Sequence, residues 1–183
     1  MIVLLLGEYG IRNGNKQYRK RNESCDLITL RRKNLSTAGN ELLFTFKGKS
    51  NKKQEVHIDD EELVYYIKKA ADMPGYEIFR YQDKNGYFHD IDSEDVNGYI
   101  TKSMGDEFSS KYFRTWAANR LAIDFYPEAL ADQKKGSRKK FCNIEKKIVA
   151  LKLGNTLTIG RNYYLHPAVF NALDKKELLN PNP

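Results

Sequence analysis

Cysteine and histidine are both scarce in this chain. The two cysteines, Cys25 and Cys142, lie far apart and form no CxxC spacing. The three histidines, His57, His89 and His166, are scattered without an HxxxH pattern. We therefore expect neither a disulfide bridge nor a cysteine or histidine metal site. Two unpaired thiols are typical of an intracellular protein, where thiols stay reduced.

Long apolar runs are missing as well. The most apolar stretch, MIVLLLGEYG at 1–10, begins with about six apolar residues, whereas roughly 20 are needed to span a bilayer. It also lacks the basic start of a secretory leader. We interpret it as the tail of a core helix. Because so few residues precede the turn that follows, we expect a fragment or a naturally short version of a longer protein.

Proline and glycine are too few for a disordered chain. There are 5 prolines and 12 glycines, with 40% hydrophobic and 30% charged residues, which predicts one folded domain over 1–183. The glycines form no GxGxxG or GxSxG motif. A P-loop reading of the triplet GKS (48–50) fails, because Leu43 stands where the motif needs a glycine and a strand pattern follows.

Positive charge is in excess. Lysine and arginine number 31 against 24 acidic residues, which gives a formal net charge of +7. A field of that sign favours a polyanionic partner such as nucleic acid, although many basic proteins bind none.

The hydrophobic pattern predicts an α+β fold, a mainly helical domain with a small three-stranded antiparallel sheet. We expect a first helix over 1–11 and Ser93 as the N-cap of a later one. The strands are predicted at 27–35, 41–48 and 54–58, and the later helices at 59–73, 93–105, 109–126 and 139–154.

The segment GNTLTIGRNYYLHP (154–167) carries a candidate nucleophile. Tyr164 follows Asn155 by nine residues. On a continuous helix this spacing would put them on opposite faces, roughly 13 Å apart along the axis, so their convergence needs a break, for which Gly160 is suited. Most tyrosines are packing residues, and Gly154–Asn155 also fits a helix C-cap followed by an N-cap.

A tyrosine nucleophile needs nearby cations, because its ordinary pKa is about 10. Arg12 stands just before a turn and Lys49 falls at the tip of the second and third strands. Arg114 lies on a helix that Tyr112, Phe113 and Trp116 are expected to anchor. Each of the three cations could equally be an ordinary solvated side chain.

Seven segments of the chain, taken in order, resemble the catalytic domain of type IB DNA topoisomerases, particularly the short bacterial and poxviral kind. They span nearly the whole sequence. The segments are IRNGNKQY (11–18), LITLRRKNL (27–35), FKGKS (46–50), PGYEIFRY (74–81), DSEDVNGYI (92–100), KYFRTWAAN (111–119) and GNTLTIGRNYYLHP (154–167).

The resemblance implies an ATP-independent isomerase. Tyr164 would attack a phosphodiester of double-stranded DNA, giving a 3′-phosphotyrosyl enzyme and a free 5′-hydroxyl, and rotation before religation would relax supercoils. The other catalytic residues implied are Arg12, Lys49, Arg114 and Asn155, with Lys111 assisting proton transfer. It also implies a monomer in the cytoplasm, associated with the nucleoid, with no metal, no small-molecule cofactor and no membrane partner.

The resemblance has one departure and two rivals. The family normally has an N-terminal β-structured lobe and further helices before the position of Arg12, which are absent here. A tyrosine recombinase shares the catalytic plan, but it typically shows HxLRH around the second arginine, where this chain has KYFRT (111–115). The second rival is a truncated, non-catalytic DNA-binding module.

Overall fold

The structure is a computed structural model that describes residues 1–15, 24–134, 153 and 166–175. The chain divides into two compact units, Met1–Lys111 and Tyr112–Pro183, with the boundary inside a helix. The described helices are α1 (Ile2–Tyr9), α2 (Glu61–Ala71), α3 (Ser93–Met104), α4 (Ser110–Asp124), α5 (Tyr126–Lys134) and α6 (Pro167–Asp174). The described strands are β1 (Leu35–Ala38), β2 (Glu41–Lys47), β3 (Lys53–Ile58), β4 (Arg80–Gln82) and β5 (Phe88–Asp90).

The predicted three-stranded antiparallel sheet is confirmed, in the order β1-β2-β3. Along β2, Leu42, Phe44 and Phe46 are buried and alternate with less buried residues. This period of two is that of a strand with one face on the core, so the apolar pattern fixes the register.

The boundaries of the first predicted strand, 27–35, are wrong. Residues Leu27–Thr29 and Arg32–Asn34 form two 3-10 turns, and β1 begins only at Leu35. The Thr29 hydroxyl accepts a hydrogen bond from the Asp26 N–H and donates one to the Asp26 carbonyl. Such side-chain bonds to nearby backbone compete with a strand.

A second, two-stranded sheet pairs β4 with β5, and the sequence pattern did not predict it. The Asp83 carboxylate closes the turn by accepting from the N–H groups of Asn85 and Tyr87. Arg80 and Asp90, which are paired in register, also form an ion pair at 2.7 Å. Strands of three residues carry too little periodicity to be recognised in a sequence.

Side-chain caps define two helices of the first unit. The Asp60 carboxylate accepts from the Leu63 N–H at 2.8 Å at the start of α2. For α3 the N-cap is Asp92, which forms a capping box with Asp95. The prediction of Ser93 as the cap is therefore wrong by one residue, since a carboxylate beside it fills the role.

In the second unit, α4 packs through small residues. The buried cluster contains Ala117, Ala118, Ala122, Tyr126, Ala129, Leu130, Leu153 and Leu173. Tyr112 and Trp116, which were expected to anchor α4, are 52% and 64% exposed. That expectation is wrong, because the alanines form the buried face and allow close approach.

Two predictions on helices have different outcomes. The helix predicted over 109–126 is divided, since α4 ends at Asp124 and α5 begins at Tyr126. The helix predicted over 139–154 lies outside the described residues, apart from Leu153. Within the part of the chain that the structure describes, no helix combines the length and apolarity needed to cross a membrane.

Candidate active site

The segment that carries Arg12 is held by backbone hydrogen bonds in the first unit. Helix α1 ends at Gly10, which is left-handed (φ 61°). The carbonyls of Arg12 and Asn13 then accept from the N–H groups of Leu27 and Ile28, at 2.8 and 3.1 Å. The half-buried Arg12 side chain therefore projects from a fixed backbone.

Gly14 allows this segment to pass close to its neighbour. Its φ is +98°, and a Cβ there would stand 2.5 Å from the Cβ of Asp26. Both the left-handed backbone and the lack of space require glycine. The close approach of residues 14 and 26 fixes the register between the Arg12 segment and residues 26–28.

Lys49 lies between β2 and β3, as predicted, on a short 3-10 turn (Lys49–Asn51). The turn is closed by bonds from the Gly48 N–H to the Lys52 carbonyl, at 2.8 Å, and from the Asn51 N–H to the Gly48 carbonyl, at 3.1 Å. Asn51 adopts the left-handed conformation that asparagine tolerates (φ 58°). Lys49 is half-buried. The turn and its flanks carry four lysines, at 47, 49, 52 and 53, so this end of the sheet is basic.

Residues 25–28 connect the Arg12 and Lys49 segments. The Cys25 N–H donates to the Lys47 carbonyl at 2.7 Å, and the Leu27 N–H donates to the Arg12 carbonyl at 2.8 Å. One short segment is thus bonded to the end of β2 on one side and to the Arg12 segment on the other. The structure brings these two predicted site segments together within the first unit.

Lys111 is an exposed residue in the first turn of α4. The preceding Ser110 N–H donates to Oδ1 of Asn97, on α3, at 2.9 Å. The Asn97 amide thus satisfies one of the N–H groups that a helix start leaves without an intrahelical partner. The backbone that carries Lys111 is held by a side chain of another helix in the same unit.

Arg114 is buried in the second unit, with only 6% of its surface exposed. Its Nη2 donates to the Leu153 carbonyl at 3.2 Å. Arginine is almost never fully buried unless its guanidinium is paired or hydrogen-bonded. A buried, backbone-anchored guanidinium of this kind is a fixed positive group, which differs from an ordinary surface arginine.

Asn119 is a functional candidate that sequence reasoning missed. Its Nδ2 donates to the Thr115 carbonyl at 2.7 Å, and its Oδ1 accepts from the His166 N–H at 2.8 Å. His166 is the N-cap of α6, and its own ring nitrogen accepts from the Ala168 N–H. Asn119 ends the segment KYFRTWAAN (111–119), so its place in that motif was the available signal.

Asn155, Tyr164 and the predicted break at Gly160 lie outside the described residues. The described residues on either side of this segment are both bonded to α4. Leu153, two positions before Asn155, accepts from Arg114, and His166, two positions after Tyr164, donates to Asn119. Both flanks of the segment that carries the candidate nucleophile are thus attached to the helix of Arg114.

Two other pairs of charged or titratable side chains in the first unit lie close enough to shift a carboxylate pKa. The Lys53 ammonium lies 2.5 Å from the Glu55 carboxylate and lowers its pKa. The hydrogen bond with His89, at 2.8 Å, lowers the pKa of Asp83.

Among the described residues, no group of three or more histidine, cysteine, aspartate or glutamate side chains could hold a metal ion.

A comparison with protein families decides the assignment. The family model described as the catalytic core of eukaryotic DNA topoisomerase I matches residues 1–179, nearly the whole chain. The chain belongs to this topoisomerase I family. The predicted resemblance to type IB DNA topoisomerases is confirmed.

Individual relatives give the extent of the similarity to other topoisomerases. DNA topoisomerase 1B of Acanthamoeba polyphaga mimivirus is 27% identical over 175 residues, which make up 90% of this chain. The chain spans about half (51%) of the length of that relative.

Two solved structures of a DNA-bound recombinase were also matched. They are the XerH site-specific recombinase bound to its difH substrate before cleavage and to a palindromic difH substrate after cleavage. Each is 14% identical and covers 82% of this chain, with TM-scores of 0.45 and 0.46, and the match covers 40% and 39% of the recombinase chains. Similarity at this level does not favour recombinase over topoisomerase.

Proposed function

We propose that this chain is the catalytic part of a type IB DNA topoisomerase. The observation that carries the proposal is the attachment of Leu153 and His166 to α4 through Arg114 and Asn119. A tyrosine nucleophile must be held close to the cations that stabilise its phosphate. Here one helix supplies a buried arginine and holds both flanks of the segment that contains Tyr164.

The proposed reaction is a reversible transesterification. The Tyr164 phenolate attacks the phosphorus of a DNA phosphodiester, and the bond to the 5′-oxygen breaks. The products are a 3′-phosphotyrosyl enzyme and a free 5′-hydroxyl. Because the phosphodiester bond energy is retained in the covalent link, the reverse attack reseals the strand after rotation.

Arginines suit the charge that develops in this reaction. The planar guanidinium donates to two phosphate oxygens at once, which a lysine ammonium does not do in the same geometry. Arg12 and Arg114 would stabilise the non-bridging oxygens, and Asn155 would donate a further hydrogen bond. The anchored backbone of Arg12 and the burial of Arg114 support this assignment, since preorganised donors need no rearrangement in the transition state.

Lysines would supply the proton for the leaving group. Lys49 would protonate the departing 5′-oxygen, and Lys111 would assist this transfer. The half-burial of Lys49 on a closed, basic turn supports a fixed position for its ammonium. A general acid of this kind typically contributes a factor of about 10² to 10⁴ in rate.

The partner that follows from this mechanism is double-stranded DNA, and the net charge of +7 favours a polyanion. The reaction as written requires neither ATP nor a metal ion. We further propose that the protein acts as a monomer in the cytoplasm, on the DNA of the nucleoid.

Plasmid relaxation tests the function and separates it from its rivals. The 183-residue chain is incubated with negatively supercoiled plasmid in EDTA without ATP, and topoisomers are resolved on a gel. We expect a ladder of relaxed topoisomers that is lost with Tyr164→Phe. Strand exchange between paired sites without relaxation would indicate a recombinase. DNA binding without relaxation or covalent adduct would indicate a non-catalytic binding module and contradict the proposal.

A further inference from the structure

Asn13 follows the proposed catalytic Arg12 in the sequence, and Asn13 is buried, with 8% of its surface exposed. Its Nδ2 donates to the Ser110 hydroxyl at 3.3 Å. Among the described residues, its Oδ1 has no hydrogen-bond partner. Burying an amide with only part of its hydrogen-bonding capacity used costs stability, so packing alone would favour an apolar residue at this position.

Ser110 is the first residue of α4 and is held from two sides. Its hydroxyl accepts from Asn13, and its backbone N–H donates to Oδ1 of Asn97. The Arg12 segment, α3 and the start of α4 therefore meet at one serine. All three residues lie in the first unit.

Lys111 directly follows Ser110, and its side chain is exposed. Packing therefore does little to position the Lys111 side chain. The position of its Cα depends on the first turn of α4, which the hydrogen bonds of Ser110 hold in place. The Arg12 carbonyl is fixed separately by Leu27. The hydrogen bond between the side chains of Asn13 and Ser110 thus links the residue after Arg12 to the residue before Lys111.

We infer that Asn13 and Ser110 are positioning residues, which set the distance between the Arg12 segment and the first turn of α4 that carries Lys111. This inference rests on the proposed function. Its physical basis is that one neutral hydrogen bond contributes modestly to stability. A displacement of catalytic groups by about 1 Å, in contrast, can slow the chemical step by a factor of about 10².

Single-turnover cleavage of a suicide DNA substrate tests the inference. The variants are Asn13→Ala, Ser110→Ala and the double variant, with Ser110→Thr to retain the hydroxyl. Ser103→Ala, at an exposed position on α3, is the matched control. At saturating DNA, each single variant should lose about tenfold in cleavage rate. The DNA Kd should remain close to that of wild type. The single variants should be somewhat less stable to urea, because a buried hydrogen bond is lost, but should remain folded under the assay conditions.

Two further readouts separate positioning from a merely structural role. Because the two residues act through one bond, the double variant should be no slower than the slower single variant. Because Lys111 is proposed to assist proton transfer, the defect should be smaller on a substrate with sulfur at the 5′-bridging position, which leaves as a thiolate without a proton. Ser110→Thr and Ser103→Ala should cleave at the wild-type rate.

The outcomes that overturn the inference are distinct. Rates within about twofold of wild type, independent losses that multiply in the double variant, or equal defects on both substrates would each contradict it. If Asn13→Ala fails to fold, the cleavage rates of Ser110→Ala and Ser110→Thr on the oxygen and sulfur substrates still test the inference without the double variant. Absence of any adduct with wild type would overturn the proposed function and this inference together. An adduct with wild type and unaltered variants would overturn this inference alone.

Discussion

Nη2 of Arg114 donates to the backbone carbonyl of Leu153, 3.2 Å away, and the arginine is 6% exposed. The bond joins the interior of α4 to a residue two positions before Asn155. A guanidinium carries five N–H donors in a rigid plane, more than a single carbonyl can engage. In the proposed reaction, Arg114 would hold the protein backbone and stabilise the reacting phosphate through one planar group.

Replacement of Arg114 by lysine should abolish most of the cleavage activity. Lysine keeps the charge but cannot hold the Leu153 carbonyl and a phosphate in the same planar geometry. The expected loss is about 10² to 10³ in the single-turnover rate, the range for removal of one preorganised donor. Arg120→Lys is the matched control, since Arg120 lies on the same helix in a partly exposed pair with Asp124. Arg114→Lys at more than a tenth of the wild-type rate would contradict the role.

Lys49→Ala should cleave an ordinary DNA substrate slowly. Its cleavage rate should be much less reduced on a substrate with sulfur at the 5′-bridging position. A 5′-alkoxide needs a proton to leave, whereas a thiol with a pKa of about 8.5 leaves as its anion. We expect a loss of about 10² or more on oxygen and less than about tenfold on sulfur, measured as single-turnover rates.

Lys53→Ala is the control for Lys49, because Lys53 belongs to the same basic end of the sheet but is paired with Glu55. It should retain the wild-type rate on both substrates at saturating DNA. If Lys49→Ala is equally slow on oxygen and sulfur, Lys49 is not the general acid.

Gly14→Ala should destabilise the protein, because alanine at φ +98° is strained and its Cβ would stand 2.5 Å from the Cβ of Asp26. We expect a cost of about 1 to 3 kcal/mol in the free energy of unfolding by urea. Gly98→Ala is the contrasting variant, since Gly98 lies within α3 and an added Cβ would have no neighbour within 4 Å apart from the adjacent backbone of its own helix. It should be neutral or stabilising, by up to about 1 kcal/mol. Equal stability of the two variants would refute the close approach at Gly14.

Tyr9 should make the stability of the protein fall at alkaline pH. Burial, followed by the negative charges of Asp59 and Asp60, raises the pKa of Tyr9 above its ordinary value of about 10. Above pH 10 the unfolded chain loses this proton first, so the stabilisation is complete below pH 10 and is lost as the pH rises towards the folded-state value. Urea unfolding from pH 8 to 11 should show a steeper decline for wild type than for Tyr9→Phe. Parallel curves would contradict the raised pKa.

The sequence predicted the parts of the fold that follow from local periodicity and capping. The alternation of Leu42, Phe44 and Phe46 located β2, and the acidic residues before α2 marked its start, because these signals act within a few residues. The run LITLRRKNL (27–35) was wrongly predicted as a strand, because its local apolar pattern is also that of one. Leu27, Ile28 and Leu30 are buried, but they lie in or directly after a 3-10 turn that side-chain hydrogen bonds hold, and apolar periodicity does not reveal such bonds.

The candidate site was only partly predictable. Local context indicated the segments of Arg12, Lys49 and Arg114, and the family match confirmed the resemblance that joined them. The burial of Arg114 was not predictable, because its partner is a carbonyl 39 residues away. The bond of Asn119 to His166 spans 47 residues and that of Asn13 to Ser110 spans 97. Such pairings depend on the tertiary fold. The buried face of α4 was also predicted wrongly, because aromatic side chains such as Trp116 were expected to pack where the alanines are buried.

The most direct test of the central claim is the identity of the residue that becomes linked to DNA. The 183-residue chain is incubated with a suicide substrate, and the adduct is resolved by denaturing gel and mapped by mass spectrometry after proteolysis. We predict a 3′-phosphotyrosyl adduct at Tyr164, retained by Tyr163→Phe and lost with Tyr164→Phe. No adduct with wild type, or an undiminished adduct with Tyr164→Phe, would contradict the account.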